Sequence, residues 1–240
     1  IRLNSDGSND SSFVTSGFDF SVNSIQVQTD GKILVGGGFS SYNGSTAYRV
    51  IRLNNNGTRD TSFSTTGFNS GGIINTLVLQ DDGKILVGGS FDSFNGNTEN
   101  YIIRLNSSGT KDTSFTTGTG FDNTVNSIAV QTDGKILVGG TFTSYKGVTT
   151  NKIIRLNTSG SKDTSFAIGT GFDYSVSTIA LQADGKILVG GSFTTYNGVI
   201  TDTFIRLNTG GTRDTSFNKG QIDNIIRTTE EQTDGKILIG

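Results

Sequence analysis

The decapeptide QTDGKILVGG occupies residues 131–140, and it or a close copy begins again at Gln28, Gln80, Gln182 and Gln232. A catalytic site is normally made once in a chain, so a pattern that recurs five times is first a statement about architecture. A second anchor, IRLN, begins at Ile1, Ile51, Ile103, Ile154 and Ile205, which sets a period of about 51 residues. Self-similarity at such a period marks a propeller or a solenoid, in which one supersecondary unit stacks on the next.

Each unit reads as strand and turn. In VNSIAVQ, Ile128 and Val130 share a face at the strand period of two, and the Asp133-Gly134 pair predicts a type I′ hairpin. The run Ile136 to Val138 is apolar without alternation, which suits a second strand covered on both faces. Gly139 and Gly140 then mark its end or a close backbone approach. In KIIRLN, Ile154 and Leu156 face one way and Ile153 and Arg155 the other; DTSF reads as a short fourth strand. No segment has a helical period. The expected fold is all-β, a β-propeller of four-stranded antiparallel blades over a single domain, residues 1–240.

The chain begins at a third strand and ends after a second, so the terminal halves are expected to combine into the last of five blades. The alternative is five units of a larger propeller. There is no Met, and Ile1 lies inside the repeat pattern, so a longer parent chain is expected.

Composition narrows the chemistry. With no Cys and no His, the usual zinc, haem and iron–sulfur ligand sets and the Ser-His-Asp and Cys-His arrangements cannot be assembled. No cofactor, metal site or catalytic residue is expected. The 19 basic and 21 acidic residues give no electrostatic case for nucleic acid, and no apolar run reaches the length of a membrane-spanning helix.

The pattern IRLNxxGxxDTSF…VQxDGKILVGG resembles the delta-60 repeat, a β-propeller-like repeat of bacterial secreted or surface proteins and phage structural proteins, and it covers essentially the whole chain. The resemblance implies a scaffold in a virion or at a cell surface, with no catalytic residue to carry over. One departure is IIRTTEEQTDGK, where Thr229 and Glu231 stand in the places of Ile128 and Val130.

Several side chains are candidates for function. The repeated Arg and Lys of the two anchors could ring an axis, but a contact repeated in every blade is first a framework contact. Asp10, Asp60, Asp112, Asp163 and Asp214 lack the ligand spacing of a calcium loop and fit an Asx turn. The aromatic-Asn-Gly tips, Tyr42-Asn43, Phe94-Asn95, Tyr145-Lys146 and Tyr196-Asn197, are the expected binding positions, with a sugar stacking on exposed rings. Adjacent Glu230 and Glu231 point to opposite faces of a strand, so they suit a partner contact or cap better than paired acid–base chemistry. The expected partners are other structural proteins of the same assembly, a cell-surface receptor or a glycan. The expected activity is non-catalytic structure and recognition, as in a phage tail or fibre; a secreted adhesin and a glycoside-cleaving enzyme are the alternatives.

Overall fold

The computed structural model describes residues 1–240 except 15, 65, 66, 70, 221 and 223. Among the described residues every regular element is a strand, so no helix is long and apolar enough to cross a membrane. The chain forms two compact units, one of residues 1–99 and 104–112, the other of residues 100–103 and 113–240.

In the first unit, Val22–Val27, Ile33–Gly37 and Val50–Leu53 are the first, second and third strands of a repeat, antiparallel and hydrogen-bonded in that order. Ile74–Leu79 and Ile85–Gly89 open the next repeat, and the boundary between the units falls within its third strand, Ile102–Leu105. The second unit holds the sheets Val125–Val130, Ile136–Gly140, Ile153–Leu156 and Val176–Leu181, Ile187–Gly191, Phe204–Leu207. It ends in a two-stranded pair, Thr229–Glu231 with Ile237–Ile239. The repeated antiparallel blade is therefore present as expected.

Two details differ from the sequence reading, each for a local reason. The DTSF segment is not a fourth strand: the residue before it makes a single bridge, as in Leu53↔Arg59 and Leu156↔Lys162. Immediately afterwards the carboxylate of Asp60 or Asp163 accepts the N–H of Ser62 or Ser165 at 3.0 Å, an Asx turn that uses a donor the ladder would need. The blades are thus three-stranded sheets. The type I′ turn also lies elsewhere. At Asp133-Gly134 only Gly134 has positive φ, 79°, and its N–H bonds Gln131 O at 2.9 Å, which is a type I turn closed by a left-handed glycine. The two consecutive positive φ values that I′ demands occur at Asn43 (50°) and Gly44 (74°), and again at each aromatic-x-Gly tip. There they close two-residue ribbons such as Ser41–Tyr42 with Ser45–Thr46.

Packing follows from this frame. Ile136, Leu137 and Val138 are fully buried, as a strand covered on both faces requires. The first strands Val22–Val27, Ile74–Leu79, Val125–Val130 and Val176–Leu181 each carry a bulge, as at Asn23 in the first unit and Asn126 in the second. The bulge turns the amide toward the following repeat, where Asn23 Nδ2 donates to Ile74 O at 3.0 Å and Asn126 Nδ2 to Val176 O at 2.9 Å. The neighbouring Ser24 and Ser127 hydroxyls accept from Leu77 N and Ile179 N at 3.0 Å. Within each unit, then, successive repeats are laced through side chains as well as packed.

Candidate recognition surface

The aromatic tips turn out to be pins. Tyr42, Phe94, Tyr145 and Tyr196 are no more than 3% exposed, which corrects the expectation of sugar-stacking rings at these positions. Each ring packs against the aromatic of its GF dipeptide, Phe18–Tyr42 at 4.6 Å and Phe121–Tyr145 at 4.6 Å between centroids. Phe39 and Phe142 complete the clusters. Tyr42 and Tyr145 donate their hydroxyls to Gly57 O and Gly160 O at 2.5 Å, and Tyr196 to Gly211 O. Burial holds the hydroxyls of Tyr145 and Tyr196 well above the ordinary tyrosine value. The second residue of each tip is spent on the chain beside it: Asn43 Oδ1 accepts from Ser16 N and Gly17 N, Lys146 Nζ donates to Thr116 O, and Asn197 Oδ1 accepts from Thr170 N. Asn95 holds the same left-handed turn, with φ of 51°.

The motif charges are likewise consumed inside the blades. Asp60 receives Arg52 Nε at 2.7 Å and Lys32 Nζ at 2.9 Å, and Asp163 receives Arg155 at 2.8 Å and Lys135 at 3.3 Å. Desolvation pushes these carboxyls up, but hydrogen bonds from Ser62 or Ser165 and from the cations outweigh it and hold both far below the usual range. The guanidinium of Arg52 lies 4.9 Å over the Phe63 ring and that of Arg155 4.6 Å over Phe166. Glu231 accepts from Gln182 Nε2 at 2.6 Å and Ala183 N at 2.9 Å, tying the last hairpin to the preceding turn, while Glu230 is exposed. Among the described residues, no group of three or more His, Cys, Asp or Glu could hold a metal ion.

The side chains that differ from repeat to repeat lie on the loops that enter the first strand and leave the ribbon. In the first unit a cavity of about 460 Å³ is lined by Asp19, Phe20, Ser40, Arg49 and the Gly71–Ile73 segment. Ser40 and Ser41 donate to Asp19 at 2.5–2.9 Å, which lowers its carboxyl to about 2 and fixes the loop. Phe20 beside it is 67% exposed. Arg49 has a φ of 65° and donates to Gly38 O. In the second unit the same backbone place is held by Tyr101 and Lys152, both with φ of 68°, and Lys152 Nζ donates to Thr141 O at 2.9 Å. A left-handed conformation costs a non-glycine residue about 1–2 kcal/mol, yet these positions carry Arg, Tyr and Lys. Tyr174, in the place of Phe20, is 62% exposed. The signal for these residues was available in the chain: they are the positions beside fixed motifs, after GFD and before the third strand, where the repeats disagree.

A family model described as a domain of unknown function, DUF5122, β-propeller, matches residues 28–63, 80–115, 131–166 and 182–217. No curated protein matches the chain. Among solved structures the chain is similar to the extracellular domain of a one-component system of B. thetaiotaomicron, with a TM-score of 0.55 and 16% identity over 94% of this chain and 26% of that one. It is also similar to PorZ, a surface component of the type-IX secretion system of Porphyromonas gingivalis, with a TM-score of 0.55 and 13% identity over 98% of this chain and 34% of that one. A third is a gluconolactonase of Xanthomonas campestris, with a TM-score of 0.53 and 11% identity over 91% of this chain and 68% of that one. The chain thus spans between a quarter and a third of the first two, and at these identities the likeness is one of fold.

Proposed function

The chain belongs to the DUF5122 β-propeller family, and from that premise we propose that it is a non-catalytic structural and recognition module of a virion or cell surface. The observation that carries this reading is a division of labour along each repeat. Residues identical from repeat to repeat, such as Arg155 and Asp163, are spent on internal bonds, and so is the recurring aromatic at Tyr145. Among the residues that change, Phe20 and Tyr174 sit on loops that enter the first strand, and Arg49, Tyr101 and Lys152 on loops that lead from the ribbon into the third. A rigid repeated frame that presents variable loops is the usual arrangement of a binding module.

The finer form of the proposal is a phage tail or fibre component built on five blades, in keeping with the delta-60 resemblance and with five first-and-second-strand hairpins in the chain. Two of the structural neighbours, an extracellular domain and a surface component, are consistent with an exposed setting. A glycan is the favoured ligand, because Phe20 and Tyr174 offer exposed ring faces and the cations Arg49 and Lys152 occupy one equivalent loop position. The test is binding of neutral and uronic-acid-bearing oligosaccharides to wild type, Phe20→Ala and Tyr174→Ala by calorimetry. Binding by wild type that is lost in the variants supports recognition by these loops. Equal binding by all three, or none by any, refutes it, and turnover of a bound sugar overturns the non-catalytic reading.

A further inference from the structure

The loop that leads into the strand Ile74–Leu79 is longer than its counterparts. Phe68 stands seven positions before the bulge residue Asn75, whereas Phe18, Phe121 and Phe172 stand five before Asn23, Asn126 and Ser177. In an array of repeats such an insertion falls on a loop, and the loops of one face are where ligands are met. Gly71, Gly72 and Ile73 of this loop wall the cavity of about 460 Å³ together with Asp19, Phe20 and Arg49. All of these residues belong to the first unit. The volume falls within the roughly 300–1,000 Å³ of small-ligand sites.

The glycines of the wall differ in what they are for. A Cβ on Gly72 would lie 2.7 Å from Asn69 Oδ1 and 2.8 Å from Phe91 Cβ, so packing requires that glycine. A Cβ on Gly71 would meet Asn69 Nδ2 at 3.9 Å, an ordinary distance, so packing does not require this one. What its bare backbone preserves is the open volume of the cavity. Gly38 contributes in another way. Ser90, Thr141 and Ser192 take its place in the other repeats, and a Cβ on Gly38 would come within 2.8 Å of Phe20 Cδ1. The ring therefore lies against the Gly38 backbone, while Phe20 as a whole stays 67% exposed.

The charges of the wall are balanced. Arg49 donates to the carbonyl of that same Gly38, which brings its guanidinium, a fork of five N–H donors, to the side of the cavity where Phe20 lies. Asp19 accepts Ser40 N and Ser41 N on Oδ1 and the Ser40 hydroxyl on Oδ2. These bonds keep it ionised at neutral pH and leave Oδ2 able to accept again. One cation and one anion thus make a neutral site that both donates and accepts, beside an exposed ring. Hydroxyl groups donate and accept in the same way, and the negative face of an aromatic ring attracts C–H groups. A carboxylate on the ligand would instead face the charge of Asp19.

We infer that this cavity is a subsite for a neutral hexopyranose, an assignment that rests on the reading of the loops as a glycan-binding surface and narrows it to one sugar class and one place. The C–H face of the sugar lies on Phe20. One ring oxygen or hydroxyl accepts from Arg49, and a neighbouring hydroxyl donates to Asp19. Gly71 supplies the room, and the balance of Arg49 against Asp19 selects a neutral sugar over its uronic acid.

The test is calorimetry with disaccharides ending in glucose, galactose or mannose, each beside its counterpart with a C6 carboxylate on the terminal ring. The titrations use wild type, Gly71→Leu and Asp19→Asn, each also combined with Tyr174→Ala so that any site at Tyr174 is read separately. Both substituted residues are exposed, and Asn69 already holds the place of Asp19 in the next repeat, where it accepts Asp92 N at 3.2 Å. Thermal melts check that the fold is kept. Wild type is expected to bind at least one neutral disaccharide about tenfold or more tightly than its acid, since like charges oppose the acid. Gly71→Leu, which fills the cavity, should weaken that binding at least about tenfold. Asp19→Asn should cut the neutral-to-acid ratio at least about fivefold. Preference for the acids, undiminished binding by Gly71→Leu, or an unchanged ratio in Asp19→Asn would overturn the inference. Binding that survives Gly71→Leu and vanishes with Tyr174→Ala would overturn it while leaving loop recognition of a glycan intact, and no binding of any sugar would remove both.

Discussion

Tyr145→Phe removes one hydroxyl from a ring that is 2% exposed and leaves the Gly160 carbonyl without the donor that lies 2.5 Å away. The chain contains its own control, because Phe94 fills the same place in another repeat, equally buried and with its ring 5.0 Å from Phe68. Packing around the ring thus tolerates either residue, and the substitution isolates the hydrogen bond. An orphaned buried acceptor costs about 1–2 kcal/mol, which in a protein of this size lowers the melting temperature by roughly 2–8 °C. The reverse change, Phe94→Tyr, offers the Gly109 carbonyl the donor that Gly57, Gly160 and Gly211 already have, and should gain up to about 1 kcal/mol. Urea unfolding followed by far- and near-ultraviolet circular dichroism measures both. The alkaline limb adds a check on sign. Burial raises the hydroxyl pKa in the folded state, so the stabilisation is complete below about pH 10, the unfolded value, and is lost as pH rises above it. Tyr145→Phe should flatten that loss. Unchanged stability in Tyr145→Phe, or a clear loss in Phe94→Tyr, would refute the view that these hydroxyls pin the ribbons.

Acid should act through the framework carboxylates. Hydrogen bonds from Ser12 and Arg2 lower Asp10 to about 2, those from Ser40 and Ser41 do the same for Asp19, and Asp60, Asp163 and Asp214 are lower still. Depressed native values stabilise the fold above the ordinary carboxylate range, so urea midpoints should hold at pH 5 and fall between about pH 4 and pH 2; midpoints that do not change over this interval would contradict the pairing. The paired glycines of the second strand should separate by what they touch. Gly139→Ala meets side-chain ends of Val176 and Ile179 and should cost about 1–3 kcal/mol, whereas Gly140→Ala would place its Cβ 2.1 Å from Thr124 O, a backbone atom held in the ladder, and should cost more. Equal costs in denaturant melts would count against that distinction.

The blade was legible because its signals are local and restated. Ile136 to Val138 has no polar residue to place on a solvent face, and it is buried on both sides. Gly134 does supply a positive φ, but only one, so the hairpin position was readable and its turn type was not. The length of the fourth strand was hidden for a different reason. Asp163 reads as part of a polar strand until its carboxylate is seen to take Ser165 N, and no periodicity reports where a side chain will capture the backbone.

The site was harder to read because Tyr-Asn-Gly looks the same whether its ring faces solvent or core. A turn with two left-handed residues projects from a blade in either case; what sends Tyr42 inward is Phe18, some two dozen residues earlier in the chain, and the Gly57 carbonyl on the next turn. Repetition itself points the other way. A ring that pins a ribbon must recur in every blade, since every blade has the ribbon, whereas a ring that meets a ligand is free to differ. Tyr42, Phe94, Tyr145 and Tyr196 recur and are buried, while Phe20 and Tyr174 face residues as unlike them as Asn123 at the equivalent position and are exposed. In a chain made of repeats, disagreement at a motif-anchored position is therefore the better guide to a binding surface than the motif.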